Sequence, residues 1–115
     1  MKIDVANDFT DEPYGRYRSN GREGDKRSAQ AFREDILCIK LKEAIEKDKI
    51  LTIDFTGLTV GLGSSFIEEI FGGLIRDGFS KEEILKHIEI KALFPYFERQ
   101  AKKFIELEHV RLNKI

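Results

Sequence analysis

Apolar and polar positions divide the chain into segments of two different periods. The clearest division lies in Ile50–Ile75, ILTIDFTGLTVGLGSSFIEEIFGGLI. Ile50–Phe55 is short, rich in β-branched residues and largely apolar, which predicts a strand covered on both faces. Thr56-Gly57 then signals a turn. Gly57, Gly61 and Gly63 follow closely, so the backbone there is free to take positive φ or to pass near another surface. Ile67, Ile70, Phe71, Leu74 and Ile75 recur at helical spacing and predict one core-facing stripe. Ser65-Phe66-Ile67-Glu68 fits a capping box at the start of that helix. Arg76 suits its negative end, and Gly78 suits the position just beyond it. Ser65, Glu69, Gly72, Gly73 and Arg76 fall on the opposite side. Two adjacent glycines there predict a bare strip of backbone, covered by a neighbouring segment or open to a partner.

The flanking segments follow the same logic. Lys2–Ala6 alternates as a first strand. Asp8–Gly24 reads as irregular, with Asn20-Gly21 as a turn and Tyr14–Ser19 as a candidate short strand across it. Ser28 caps a helix running to about Asp48, with Phe32, Ile36, Leu37, Leu41, Ala44 and Ile45 on its buried side. Ser80-Lys81-Glu82-Glu83 is a second capping box, opening a short helix to about Lys86. His87–Ala92 alternates as a strand. Pro95 suits the first turn of a last helix with Phe94, Phe97, Ala101, Phe104 and Ile105 as its stripe. Val110 and Leu112 alternate as a candidate closing strand.

Composition narrows the function classes. At 115 residues the chain is expected to form one domain, residues 1–115. Charged residues make up 36% of it, yet the net charge is only −1, so no global field draws it to nucleic acid or to anionic membrane. Tyr14–Arg27 carries Arg16, Arg18, Arg22, Lys26 and Arg27 against Glu23 and Asp25, a local basic excess with interleaved tyrosines. A basic footprint normally shows in the charge of the whole domain, so no nucleic-acid partner is expected. No apolar signal core and no run near ~20 apolar residues are visible. Cytoplasmic placement is therefore the default, with no membrane association. Cys38 stands alone, so no internal disulfide is possible.

Candidate chemistry is sparse. Asp54, Glu68, Glu69, His87 and His109 are the groups an enzyme would use, with Cys38 as a remote nucleophile. Asp54 reads more simply as bonded to the amides of the following turn. No Cys/His cluster has metal-ligand spacing, and no constellation of acid, base and nucleophile stands out. No enzyme activity, metal or cofactor is expected. Gly61-Leu62-Gly63-Ser64-Ser65 before a helix is a weak phosphate-cradle pattern that fits neither standard nucleotide motif. It leaves a small-ligand or nucleotide-binding module as the alternative function.

A resemblance adds direction. Ile53-Asp54-Phe55, Gly57, Ser64-Ser65-Phe66, Glu68-Glu69 and Phe71-Gly72-Gly73-Leu74 resemble the STAS-like domain family, a domain of unknown function. Pro13-Tyr14-Gly15-Arg16 and Phe32-Arg33-Glu34 resemble its upstream pattern. The broader relatives are STAS domains, including anti-sigma-factor antagonists. The fold this resemblance implies is α/β, a mixed sheet of about four to five strands with three to four helices packed mainly on one side. In antagonists a partner kinase phosphorylates a serine at the start of the helix after the central strand, and this releases the antagonist. By position, Ser65 would be that serine and Ser64 its neighbour. Antagonists carry Asp before the serine pair and Gly after it, where this chain has Gly63 and Phe66.

The function expected from the resemblance is a non-enzymatic regulatory domain that docks a protein partner. STAS-like proteins are often associated with histidine-kinase-type ATPase domains, so the implied partner is of that class. The expected docking face is Gly63, Ser64, Ser65, Glu69, Gly72, Gly73 and Arg76. A phosphate on Ser65 would meet free amides at a helix N-terminus. Two terms oppose it: the hydroxyl is expected to be engaged as a cap, and Glu68 and Glu69 would repel the phosphate.

Overall fold

The computed structural model describes residues 1–114. In chain order the elements are β1 (Lys2–Asp4), α1 (Val5–Asp8), α2 (Gly21–Arg27) and α3 (Ala29–Phe32). A π turn at Arg33–Leu37 joins α3 to α4 (Cys38–Glu46). Then come β2 (Leu51–Asp54), α5 (Ser64–Arg76), α6 (Lys81–His87), β3 (Ile88–Lys91) and α7 (Pro95–Leu112).

The sheet has three strands in the order β1-β2-β3, all parallel. This corrects the expected mixed sheet of four to five strands. Tyr14–Ser19 does not pair as a strand. Its neighbourhood is tied to the α2–α3 junction, with Ala29 N–H donating to Gly15 C=O (3.1 Å) and Gln30 N–H to Arg16 C=O (3.0 Å). Asn20-Gly21 opens α2 instead of turning a hairpin. Val110 and Leu112 lie in the last turns of α7 and are exposed. A two-residue alternation there was too short to outweigh the helical period that Phe97, Ala101 and Ile105 had already set.

The strand register explains the layering. Ile3, Ile53 and Ile90 lie side by side, as do Leu51 and Ile88. Lys2, Thr52 and Glu89 form one row of the other face, and Asp4, Asp54 and Lys91 the next. Because side chains alternate across a strand, the apolar rows share one face and the polar rows the other. The expectation that β2 is covered on both faces holds over most of its length: on the polar face Asp54 is buried and Thr52 half-buried, although the helices pack on the other side. Strands in sequential order with right-handed crossovers place both sets of connecting helices on the same side, which is the apolar one.

That side holds the core. Phe32, Leu37 and Leu41 meet Ile67, Ile70, Phe71 and Leu74 there, with Ile84 and Ala101 completing the packing. Phe55 lies between Phe32 and Phe97, its ring centroid 4.6 Å from that of Phe97. Local signals set several boundaries as read. Ser28 Oγ accepts from the Ala31 amide (3.1 Å) at the start of α3. Ser80 and Glu83 form their capping box at 2.9 and 3.0 Å. Gly78 follows α5 with φ +104°. No helix among the described residues is long and apolar enough to cross a membrane.

Candidate functional site at the start of the central helix

The turn after β2 is built on Asp54. Its Oδ1 accepts from the Thr56 amide (2.8 Å) and the Thr56 hydroxyl (2.6 Å), and Lys2 Nζ lies 3.5 Å from Oδ2. These bonds, the Thr56 hydroxyl first, hold the Asp54 carboxyl below the ordinary aspartate range. The sequence reading of Asp54 as a turn anchor is thus what the structure contains.

The N-cap of α5 lies two residues earlier than the expected Ser65. Gly63 is its N-cap, in extended conformation, and Ser64 is the first helical residue. The Phe66 and Ile67 amides donate to Gly63 C=O (3.1 and 3.2 Å). Ser65 is therefore inside the first turn and makes no side-chain cap. The predicted Ser65–Glu68 capping box does not form. Glu68 is engaged elsewhere: its carboxylate takes Arg16 Nη2, Arg76 Nη1 (2.8 Å) and Arg76 Nη2 (3.2 Å). Ser64 and Ser65 are exposed, and no hydrogen bond from either hydroxyl is made among the described residues.

The glycine strip is covered by the chain itself. Glu69, Gly72 and Gly73 are buried. Arg33, from the π turn, is only 6% exposed and lies across Gly73. Its Nη1 donates to Glu69 C=O (2.6 Å) and Glu69 Oε2 (2.5 Å), and its Nε to Asp77 Oδ2 (2.8 Å). A Cβ on residue 73 would sit 2.7 Å from Arg33 Cζ, and one on residue 72 would run into the Glu68 carboxylate. Arg16 Nε adds a bond to Glu69 Oε1 (3.0 Å), and Arg76 Nη1 reaches Glu108 Oε2 (2.6 Å) on α7. Burial opposes the charge on Arg33, yet its bond to Glu69 and the nearby Asp77 outweigh this and raise its pKa. Gly73 leaves room for the Arg33 guanidinium, and Gly72 for the Glu68 carboxylate that Arg16 and Arg76 hold.

Of the expected docking face, Gly63, Ser64, Ser65 and Arg76 are exposed, while Glu69, Gly72 and Gly73 are inside. Bare backbone along the helix is thus not available to a partner. What lies beside the exposed end is a cleft of about 240 Å³ lined by Phe55, Leu58, Val60, Leu62, Phe94 and Phe97, with Gly61 at its edge. Val60, Leu93, Phe94 and Tyr96 are exposed around it, Phe94 at 62%. The cleft opens at the carboxyl ends of β2 and β3, the usual ligand end of a parallel sheet. Sequence reasoning missed it because Phe94 was assigned to the buried stripe of α7.

The other candidates are accounted for by structure. His87 is buried with Nδ1 2.8 Å from Lys49 C=O. His109 is half-buried on α7. Burial and a bond to Asp77 push the Cys38 thiol up to about 12, which disfavours a nucleophilic thiolate. Three of the five cations of the basic stretch are engaged internally, Arg16 on Glu68 and Glu69, Arg18 on Glu34, Asp35 and Asp25, and Arg27 on Glu23 and Glu12.

The pieces of sequence that carried the resemblance therefore meet in one place: Arg16, Arg33, Glu68, Glu69, Gly72 and Gly73. The sequence profile of the STAS-like domain of unknown function (DUF4325) matches residues 28–96, more than half of the chain. The chain belongs to that family. The matched region runs from the cap of α3 into the first turn of α7 and contains Arg33, Asp54, the serine turn, Glu68, Glu69 and both glycines, while Lys2, Arg16, Phe97 and Glu108 lie outside it. No curated protein and no solved structure matches the chain.

Proposed function

We propose that this STAS-like domain is a non-enzymatic regulatory module that docks a protein through the start of α5 and the adjoining apolar cleft. The observation that carries this is a cluster of exposed large apolar side chains, Val60, Leu93, Phe94 and Tyr96, next to two serines with unengaged hydroxyls. A contiguous exposed apolar patch of this kind is the usual mark of an interaction site. The docking surface is the N-terminal end of α5, in place of the length of the helix.

Ser65 is the candidate modified residue, with Ser64 beside it. Both terms that oppose a phosphate are weakened by the geometry. The hydroxyl is not a cap, and the carboxylates of Glu68 and Glu69 are already paired with Arg16, Arg33 and Arg76. A phosphate there would add about −1.5 to −2 charges beside the cleft and so alter what binds. The partner class that the resemblance implies, a histidine-kinase-type ATPase, is the one to test first. The alternative is a small-ligand or nucleotide-binding module using the Gly61–Ser65 turn; its nucleotide form has less support, because none of the residues lining the cleft is charged.

The test is capture from source-organism extract with ATP, comparing the native chain with Val60→Asp plus Phe94→Asp. An ATPase held by the native chain and lost by the variant, with phosphate on Ser64 or Ser65 by mass spectrometry, is the expected result. Equal capture by both chains overturns the docking surface, and unmodified serines in every state overturn the switch.

A further inference from the structure

The outer edge of β3 is built to pair with itself, and the geometry points to a two-fold dimer in which β3 of two copies of this chain join antiparallel into one continuous sheet. This inference concerns the outer edge of β3, which adjoins the docking cleft at Ala92, and it does not rest on the docking reading. β3 is the last strand of the sheet and pairs only with β2 among the described residues. Phe55 N–H donates to Lys91 C=O (2.8 Å). In a parallel ladder the groups facing a neighbour alternate along the strand, so Lys91 and Glu89 turn their backbone toward β2. Ile90 then has its N–H and C=O on the outer edge, as Ala92 does, together with Ile88 C=O. The Ile88 N–H is already bonded to Ile84 C=O at the end of α6.

Axes centred on Glu89, Ile90 or Lys91 all set outward-facing groups against each other, but the first and last oppose Glu89 to Glu89 or Lys91 to Lys91 of the second copy, like charges that disfavour pairing. Centring the axis on Ile90 sets Ile90 against Ile90 of the second copy, as a hydrogen-bonded pair with N–H to C=O in both directions. Ala92 N–H then meets Ile88 C=O of the second copy, again in both directions. Glu89 falls opposite Lys91 of the second copy and Lys91 opposite Glu89, as non-hydrogen-bonded pairs, whose side chains stand closest. Glu89 and Lys91 share the polar face with Thr52 and Asp54. Both are exposed and neither makes an ion pair among the described residues. Protective edge charges are usually lysines or inward-pointing groups. One acid and one base two residues apart is instead the pattern that an antiparallel copy neutralises.

Sedimentation equilibrium on the full chain tests this. The native protein is expected to approach twice its 13.3 kDa mass with rising concentration. Glu89→Lys and Lys91→Glu each oppose like charges at both pairs and weaken association by about tenfold or more. An equimolar mixture of the two single variants sets opposite charges against each other again at both pairs and restores the dimer, as does the double swap in one chain. Circular dichroism unchanged from native shows that the variants are folded. A native chain that stays monomeric to about 1 mM overturns the proposal, and so does a dimer that neither single swap weakens.

Discussion

Two helices of this domain open with the same four-residue signature and end up differently. Ser80-Lys81-Glu82-Glu83 closes into a reciprocal capping box at the start of α6. Ser65-Phe66-Ile67-Glu68 does not. Nothing within either tetrapeptide accounts for the difference. Glu83 makes no ion pair among the described residues and turns back on its own helix. Glu68 stands where Arg16 arrives from the N-terminal segment and Arg76 from two turns along α5. A carboxylate bond to a backbone amide is charge-assisted on one side only, whereas two guanidinium groups offer Glu68 several bonds charged on both sides, so the carboxylate is drawn out along the helix. The helix then starts at Ser64 and leaves the Ser65 hydroxyl open. The lesson is that a local signal holds only while no distant charge competes for its side chain.

The largest test of this contrast removes the distant charge with the most burial. Arg33→Met leaves Glu69 buried without its main partner and is expected to cost about 3–5 kcal/mol by urea denaturation. Glu69→Leu in the same chain is expected to recover much of that, because a buried pair replaced by apolar groups is close to neutral. Gly73→Ala alone drives a methyl group into the Arg33 side chain and is expected to cost about 1–3 kcal/mol, as overpacking does. A stable Arg33→Met protein, with no recovery from the second change, would mean that the charge network does not hold α3 and the π turn to α5.

The direct comparison of the two serines comes next in size. Ser80→Ala removes a working cap and is expected to cost about 1 kcal/mol. Ser65→Ala removes a hydroxyl with no bond and is expected to fall within about 0.5 kcal/mol of native. Equal losses in thermal denaturation would put the Ser65 cap back.

The smallest effect is on pH dependence at the turn before α5. The Asp54 carboxyl is depressed by its bonds to Thr56. Its stabilisation is therefore fully present above its ordinary value of 3.8 and is lost as pH falls through the lower folded value. Asp54→Asn is expected to flatten that part of the acid limb in a series of melts between about pH 5 and pH 2. An unchanged acid limb would remove Asp54 as a contributor.

Much of the fold was legible from periodicity. The stripe Ile67, Ile70, Phe71, Leu74 and Ile75 is buried as read, and the strands at Lys2–Asp4, Leu51–Asp54 and Ile88–Lys91 lie within the predicted ones. Less of the site was legible. Its residues were visible as fragments of a resemblance, but that Arg16 and Arg33 converge on Glu68 and Glu69 requires α2, α3 and α5 to be packed together first. The exposed Phe94 was misread because it sits one residue before Pro95, where the helical phase has not yet begun.

The sequence by itself determined which faces go inside and where several helices stop and start. An apolar stripe leaves water whatever it packs against, and Ser80, Gly78 and Pro95 act on backbone groups within a turn of themselves. The tertiary structure alone decided the fate of the charged and glycine positions on α5. A carboxylate takes the nearest cation, and which cation is nearest is a property of how segments far apart in the chain come to lie together.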